Sequence, residues 1–554
     1  MKSFIRLFLS LLLVFLFHSC SDKASVKRSL DSITESDLSE YVKTLGSDEF
    51  IGRKPFTGGE RKTIEYLVSA FRKLGLEPAF GDSYLQAVPM VEITVSPAPA
   101  MLLEGNRKRM ELYYRDDYVI FSRRITEKIF IDKAEMVFAG YGIVAPEYNW
   151  NDYEGLDVKG KIVVVMVNDP GYGSSDTSFF HGHAMTYYGR WTYKYEEAAR
   201  QGALGIMIIH DDGPAGYGWT VVRNGAVTPK LYLAPDDHYA GRCALEGWFT
   251  QEASRRMIRA VGQQPDSVFA LARTRRFKPF CLGMQMTVSM TSSFRYNSSM
   301  NVMGMIRGRS RPDECIVYSA HWDHLGVGEP TEGDSIFNGA VDNGISMAWM
   351  MEIARAFTLL RKKPQRTVLF LAPTAEEQGL IGAEYYVQNP LITMNKTVAN
   401  INNDLMLPMG PMRDVMVTGY GQSEMEDYLA RYAAQQGRYV LPDPNPHTGM
   451  YYRADHFPFA RAGVPALFAR GNCDHRDKGK EYAAAYEKEY LTNRYHHVTD
   501  EYDPLTWDMK GIAEDAQLLF LVGLDLADSD HFPQWKEGSE FRKMRMNSLP
   551  ISDK

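Results

Sequence analysis

The chain has 554 residues, 45% hydrophobic, 24% charged and 12% aromatic. That is the balance of an ordinary globular protein of two or three domains, and it excludes collagenous, low-complexity and polytopic membrane chains. With 62 Lys and Arg against 69 Asp and Glu the formal charge is -7, so no basic field exists to release counterions from a phosphate backbone, and nucleic acid is set aside as a partner.

Lys2 and Arg6 precede an apolar run from Leu7 to Phe17, too short to span a bilayer, and Cys20 follows it. Residues 1–19 therefore read as a secretory signal peptide, with Cys20 resembling the lipid-modified cysteine of a bacterial lipoprotein and plain cleavage near it as the alternative. The expectation is an exported, periplasmic or cell-envelope lipoprotein that touches membrane only through lipid on Cys20. Residues 20–35 are polar and read as a tether. Cys243, Cys281, Cys315 and Cys473 form no CxxC pair and suggest no zinc ribbon.

Leu38, Tyr41, Val42 and Leu45 recur at helical spacing after Ser36, and a second amphipathic helix runs from Thr63 to Leu74 and stops at Gly75. Short alternating runs over 81–130 read as strands. A smaller α/β piece is expected over 134–290, from the strands near Met136, Ile162 and Leu204 and a helix from Tyr195 to Gln201, with aromatic, Gly-rich loops between them. Apolar strands beginning near Cys315, Thr367, Val398 and Val464 then alternate with helices at 345–358, 380–387, 424–436 and 509–527. This alternation predicts an α/β fold, a mostly parallel sheet flanked by helices, with ligands outside the carboxyl ends of the strands. The basic tail at 531–554 reads as a surface extension.

Two motifs carry no chemistry. Gly140-Tyr-Gly-Ile-Val-Ala matches a dinucleotide loop only formally, because Pro146 follows where a phosphate-binding helix is needed. Ser346 in Gly344-Ile-Ser-Met-Ala lacks the preceding strand of a nucleophile elbow.

Five clusters in the last domain do. They are His321-Trp-Asp323-His324, Asp342-Asn343, Glu376-Glu377, Asp404, and Tyr495-His496-His497 with Asp500. Singly, each is an ordinary surface pair or helix cap. Together, at one edge of one sheet, deprotonated imidazoles and carboxylates are what a divalent ion of zinc's character requires.

In the order HxD, D-N, EE, D and YH, with Glu376-Glu-Gln-Gly-Leu-Ile-Gly-Ala and Tyr-Arg-Ala-Asp455-His-Phe-Pro-Phe, the chain resembles the M28 family of co-catalytic zinc peptidases. The resemblance covers 296–526 and extends to Ser47-Asp-Glu-Phe-Ile-Gly-Arg53-Lys-Pro-Phe-Thr57, making 36–133 and 291–530 parts of one zinc-exopeptidase domain, of the phosphorylase/hydrolase-like kind. The piece at 134–290 is similar to a protease-associated (PA) domain, a smaller β-rich α/β insert.

The resemblance implies two Zn2+ per chain: His321 and Asp404 on one, Glu377 and His496 on the other, Asp342 bridging, and Glu376 as general base. A bridged pair about 3.5–4 Å apart can hold one hydroxide and polarise a scissile carbonyl, while a carboxylate beside the metals moves the proton. Asp323 would accept the other ring N–H of His321 and fix its tautomer. The Tyr495 hydroxyl would hold the oxyanion or simply pack, the YHxxxD register favours His496 over His497, and Asp455 and Asp500 would orient ligands or loops. A cis peptide between Asp342 and Asn343 is also implied. The expected activity is an aminopeptidase acting on peptides. A carboxypeptidase, a single-zinc glutaminyl-cyclase-like enzyme or an inactive receptor-like binding protein are the alternatives. The insert would narrow the mouth of the site, with the loop from His181 to Tyr195 touching substrate, or serve as a spacer.

Overall fold

The four apolar runs of the last domain become four adjacent parallel strands. In the computed structural model, which describes residues 22–105, 108–226, 228–331 and 333–548, they are β2 (Arg311–Ser319), β3 (Arg366–Ala372), β4 (Thr397–Asn402) and β7 (Ala466–Arg470). Strand β2 pairs in parallel with β3 on one side and β4 on the other, and β4 pairs in parallel with β7. Antiparallel β1 (Phe280–Ile306) lies against β3 on one flank, while β5 (Asp414–Val417) lies against β7 on the other and carries β6 (Tyr439–Pro442). Val, Ile, Leu and Phe fill these strands because both faces are covered. The signal segment and Cys20 lie outside the described residues.

The helices follow the same logic. Helix α1 (Glu35–Leu45) is capped by the Thr34 hydroxyl, which accepts the Asp37 N–H, and buries Leu38, Val42 and Leu45. Helix α2 (Gly58–Leu74) ends at Gly75 in the left-handed conformation. Helix α3 (Ser346–Thr358) is apolar nearly all round and is buried accordingly, Ser346 included, so that serine is a packing residue. Helix α4 (Ile381–Gln388) follows the Glu376-Glu377 turn, and α5 (Lys510–Asp528) lies over β2, where the Tyr318 hydroxyl donates to the Leu519 carbonyl at 2.7 Å. Tyr318 stacks on Phe370 with ring centres 5.5 Å apart, a pair that contributes about 1 kcal/mol beyond its buried area.

The chain divides into two units. The larger holds the described residues through Val88, Ser298–Asp443 and those from Arg453 on; the inserted unit is Pro89–Asn297 with Pro444–Tyr452. The insertion thus begins at Pro89 rather than at 134. The cause is β1, 27 residues long, whose first half pairs with Ala100–Gly105 and Lys128–Phe138 and so draws the early strands into the insert. Parallel strands Ile162–Met166, Gly205–Ile209 and Leu245–Phe249 complete its centre. At the end of the aromatic segment His181–Tyr195, Tyr193 and Tyr195 are buried in the helix Trp191–Arg200, and just ahead of the segment Phe180 stacks on Tyr148. The Gly140-Tyr-Gly segment is a turn with both glycines at positive φ.

Two terminal expectations are corrected. Residues 22–31 form a helix rather than a free tether; Ser25 accepts the Arg361 N–H at 2.8 Å and the Leu30 carbonyl accepts from Gln517. Over its described residues, 531–548, the tail is a packed segment, since Trp535 and Phe541 are buried and Arg545 within Arg542–Ser548 is almost fully so. A tryptophan and a phenylalanine supply enough apolar surface to hold it down. No helix among the described residues is long and apolar enough to cross a membrane.

Candidate metal centre

Parallel register places Ser319 of β2 beside Leu371 of β3 and Asn402 of β4. The segments that leave these three strands therefore emerge side by side, and they carry His321, Glu376 with Glu377, and Asp404. Asp342 comes from the irregular turn Ala340–Ile345 ahead of α3. There the Asp500 carboxylate accepts the Val341 and Asp342 N–H groups at 3.0 and 3.1 Å and the Tyr490 hydroxyl at 3.1 Å. Asp500 thus orients the loop that presents Asp342. The Asp342–Asn343 peptide is cis.

The side chains converge in two groups that share Asp342. His321 Nε2 lies 3.5 Å from Asp342 and 3.6 Å from Asp404. His496 Nε2 lies 3.2 Å from Asp342 and 3.1 Å from Glu377. Glu376 approaches His321 Nε2 at 3.8 Å. His321, Asp342 and Asp404 offer donor atoms within 4.8 Å of one another, and so do His324, Asp342 and Glu377. His496 takes its place on the left-handed backbone at φ 60°, while His497 is exposed, so the first of the two histidines faces the carboxylates.

One expected contact is different. The ring Nδ1 of His321 lies 3.1 Å from the main-chain carbonyl of Asp323 and 3.8 Å from its carboxylate. That carboxylate accepts the Glu376 N–H at 3.0 Å instead. The turn after β3 leaves the Glu376 N–H without a ladder partner, and a buried N–H must find one. Asp323 therefore fixes the Glu376-bearing turn with its side chain and the histidine with its backbone.

The charge balance explains the titration pattern. Burial raises the Glu376 carboxyl well above its usual range, and the Asp404, Glu377 and Asp455 carboxylates add to the effect. Burial likewise takes Asp455 up to about 8, and both its oxygens are buried without a hydrogen-bond partner. At Glu377 burial is outweighed by bonds from His324 and His496, which hold it well below 4.5. At His496 burial is outweighed by Asp342 and Glu377, which raise it to about 10. Burial and the neighbouring acids, Asp342 first, lift the Tyr495 phenol well above 10, so its hydroxyl stays protonated; its ring stacks on His496 at 3.9 Å.

The carboxylates of Asp323, Asp342, Glu376, Glu377, Asp404, Asp455 and Asp500 outnumber the imidazoles of His321, His324 and His496, a surplus of acidic groups, and His321 Nε2, Asp404 Oδ1 and His324 Nε2 are buried without a hydrogen-bond partner. Mixed nitrogen and oxygen donors with this geometry fit divalent zinc.

Two residues escaped the sequence reading. His324 is buried and its Nδ1 lies 2.7 Å from Glu377; the only signal was its place in the His-Trp-Asp-His run. Arg53, read only as part of a matching segment, is buried behind the donor loops.

Residues 301–521 match the description "Peptidase family M28". Residues 301–521 belong to peptidase family M28. Among curated relatives of the M28 domain, mouse "Aminopeptidase NAALADL1" is 34% identical over 131 residues, which are 23% of this chain and 16% of that protein. The "Glutamate carboxypeptidase 2 homolog" of Caenorhabditis briggsae is 31% identical over 448 residues, 69% of this chain and 52% of that protein. The chain thus spans about half, or much less, of the curated relatives it matches. Among solved structures, an aminopeptidase from Aneurinibacillus sp. strain AM-1 is 16% identical, with 92% of this chain and 97% of that chain covered at a TM-score of 0.47.

Proposed function

We propose that the protein is an exported zinc-dependent exopeptidase holding two ions, and that it removes amino-terminal residues from peptides. The observation that carries this reading is the pair of donor groups sharing Asp342, with Glu376 alongside but 3.8 Å from the nearest donor nitrogen. His321 and Asp404 would hold one zinc, Glu377 and His496 the other, and Asp342 both. Bound there, zinc would polarise the scissile carbonyl and stabilise charge on its oxygen.

The chain's own groups do the rest. Glu376 takes a proton from the attacking water and delivers it to the leaving amine; burial raises its carboxyl above the usual carboxylate range, which strengthens it as a proton acceptor. The bond from its N–H to Asp323 keeps the side chain aimed at that water. The protonated Tyr495 hydroxyl donates to the developing oxyanion. Export rests on the leader-like start and Cys20, which would anchor the chain through lipid.

The test is turnover of aminoacyl and amino-blocked peptides by the chain lacking residues 1–19, in chelated, zinc-restored and Glu376→Gln forms. Zinc-dependent release from free amino termini that is lost in Glu376→Gln supports the proposal. Cleavage of blocked substrates alone moves the reading to a carboxypeptidase, one zinc per chain to a cyclase-like enzyme, and zinc binding without turnover to a binding protein.

A further inference from the structure

Arg53 is 1% exposed, and its guanidinium makes five bonds, all to main-chain carbonyls. Nε donates to Trp322 at 2.9 Å; one terminal nitrogen donates to Leu45 at 2.7 Å and Asn338 at 2.6 Å, the other to Gly339 at 2.9 Å and Asp342 at 3.3 Å. A guanidinium has five N–H donors in a fixed fork, and here each is used. The Trp322 carbonyl lies between His321 and Asp323, while Asn338, Gly339 and Asp342 frame the turn that presents Asp342. The fork therefore ties the segment bearing one donor to the segment bearing the shared one.

The backbone is bent to deliver it. Ile51, Gly52 and Arg53 are three successive left-handed residues, with φ of 51°, 60° and 50°. For a β-branched residue such as Ile51 this is a rare conformation, of the kind that persists only where the surroundings enforce it. Gly52 admits no side chain, because a Cβ would stand 2.5 Å from the Gly326 carbonyl and 2.6 Å from that of Phe337. Asp342, Asp500, Asp323 and Glu377 all act on the buried cation, so Arg53 also offsets part of the surplus negative charge.

We infer that Arg53 is a positioning residue of the metal centre, setting the spacing between His321 and Asp342 through the main chain and supplying the resident positive charge behind them. This rests on the metal reading proposed above. Lysine keeps the charge but has three donors on a flexible stem and cannot bridge both segments; methionine removes charge and donors together.

The test titrates metal-free wild type, Arg53→Lys and Arg53→Met with Co2+, following the visible absorption of the bound ion, at a temperature where far-UV circular dichroism shows each chain folded. A residue that only stabilises the fold leaves the affinity and spectrum of the folded protein unchanged. The expected result is a loss of about tenfold or more in Co2+ affinity in both variants, the scale of outer-shell substitutions, larger in Arg53→Met, with a displaced absorption band in Arg53→Lys. Wild-type affinity and spectrum in both folded variants would overturn the inference, and so would an Arg53→Lys chain that never folds even with metal. A wild-type chain that takes up no cobalt overturns the metal reading itself, and this inference with it.

Discussion

The carboxylate of Asp323 accepts the main-chain N–H of Glu376 at 3.0 Å. The two residues come from segments that leave adjacent parallel strands, so a single bond locks the Glu376-bearing turn to the histidine-bearing one. Substitution Asp323→Asn keeps an acceptor but removes the charge that strengthens the bond. We expect kcat to fall about 10–100-fold, the scale of outer-shell changes at metal sites, with KM nearly unchanged. Steady-state kinetics on one aminoacyl substrate decide it; a change confined to KM would place Asp323 in substrate binding instead.

His324 completes the second donor group through its 2.7 Å contact with Glu377. A Cβ on Gly339 would stand 2.6 Å from the His324 ring atoms, so the imidazole is clamped against a residue that must be glycine. If the centre holds two ions as proposed, His324→Ala is expected to weaken one of them about 10–100-fold while leaving the other in place. Metal content after dialysis against a graded chelator series should fall from two ions per chain towards one. Two ions retained at wild-type affinity would reduce His324 to a packing residue.

Much of this was legible in the sequence, and the gaps have physical causes. His321, Glu377 and Asp404 follow strands β2, β3 and β4, and strand ends are marked by long apolar runs that period and composition both announce, whereas Asp342 lies in the turn ahead of α3 and was read from its Asp-Asn pair before a helix. Asp323 was found but given the wrong partner, because a backbone N–H at a turn leaves no trace in side-chain identity. Arg53 was missed for a similar reason: its five partners are carbonyls, which every residue has. The start of the insert was misplaced because β1 runs through 27 residues without a turn signal, and pairing partners of a long strand are not encoded in its own pattern. The terminal segments were read as loose from their polarity, yet Ser25 and Arg545 are held through hydrogen bonds to distant main chain.

Glu352 gives a pH-dependent prediction away from the centre. Its side chain is buried on α3 beside Arg355 and accepts the Thr34 N–H at 3.3 Å. Burial raises its carboxyl from 4.5 to about 7, against the opposing pull of Arg355. A folded-state pKa above the unfolded one means that the folded chain holds the proton more tightly. The associated stability is complete below about 4.5 and is lost as pH rises through about 7, with a slope of up to about 1.4 kcal/mol per pH unit. Glu352→Gln removes this proton, so the difference in melting temperature between variant and wild type should shift in the variant's favour from pH 4.5 to 7. A difference that stays constant over that window would show that Glu352 titrates normally.

The packed tail makes the last prediction. Trp535 is 3% exposed, its indole N–H donates to the Gly463 carbonyl at 2.8 Å, and its ring meets Phe541 at 5.1 Å. Gly463 follows the helical turn His456–Arg461 and precedes β7, the strand beside β4, so the tail braces the outer edge of the parallel sheet. Trp535→Ala removes a large buried ring and leaves a carbonyl unpaired, at a cost of about 3–5 kcal/mol. Trp535→Phe keeps most of the apolar area and should lose only the hydrogen bond, about 1 kcal/mol. Urea denaturation of the two variants should separate them by several kcal/mol at unchanged slope; equal and negligible losses would mean that the tail does not hold the sheet.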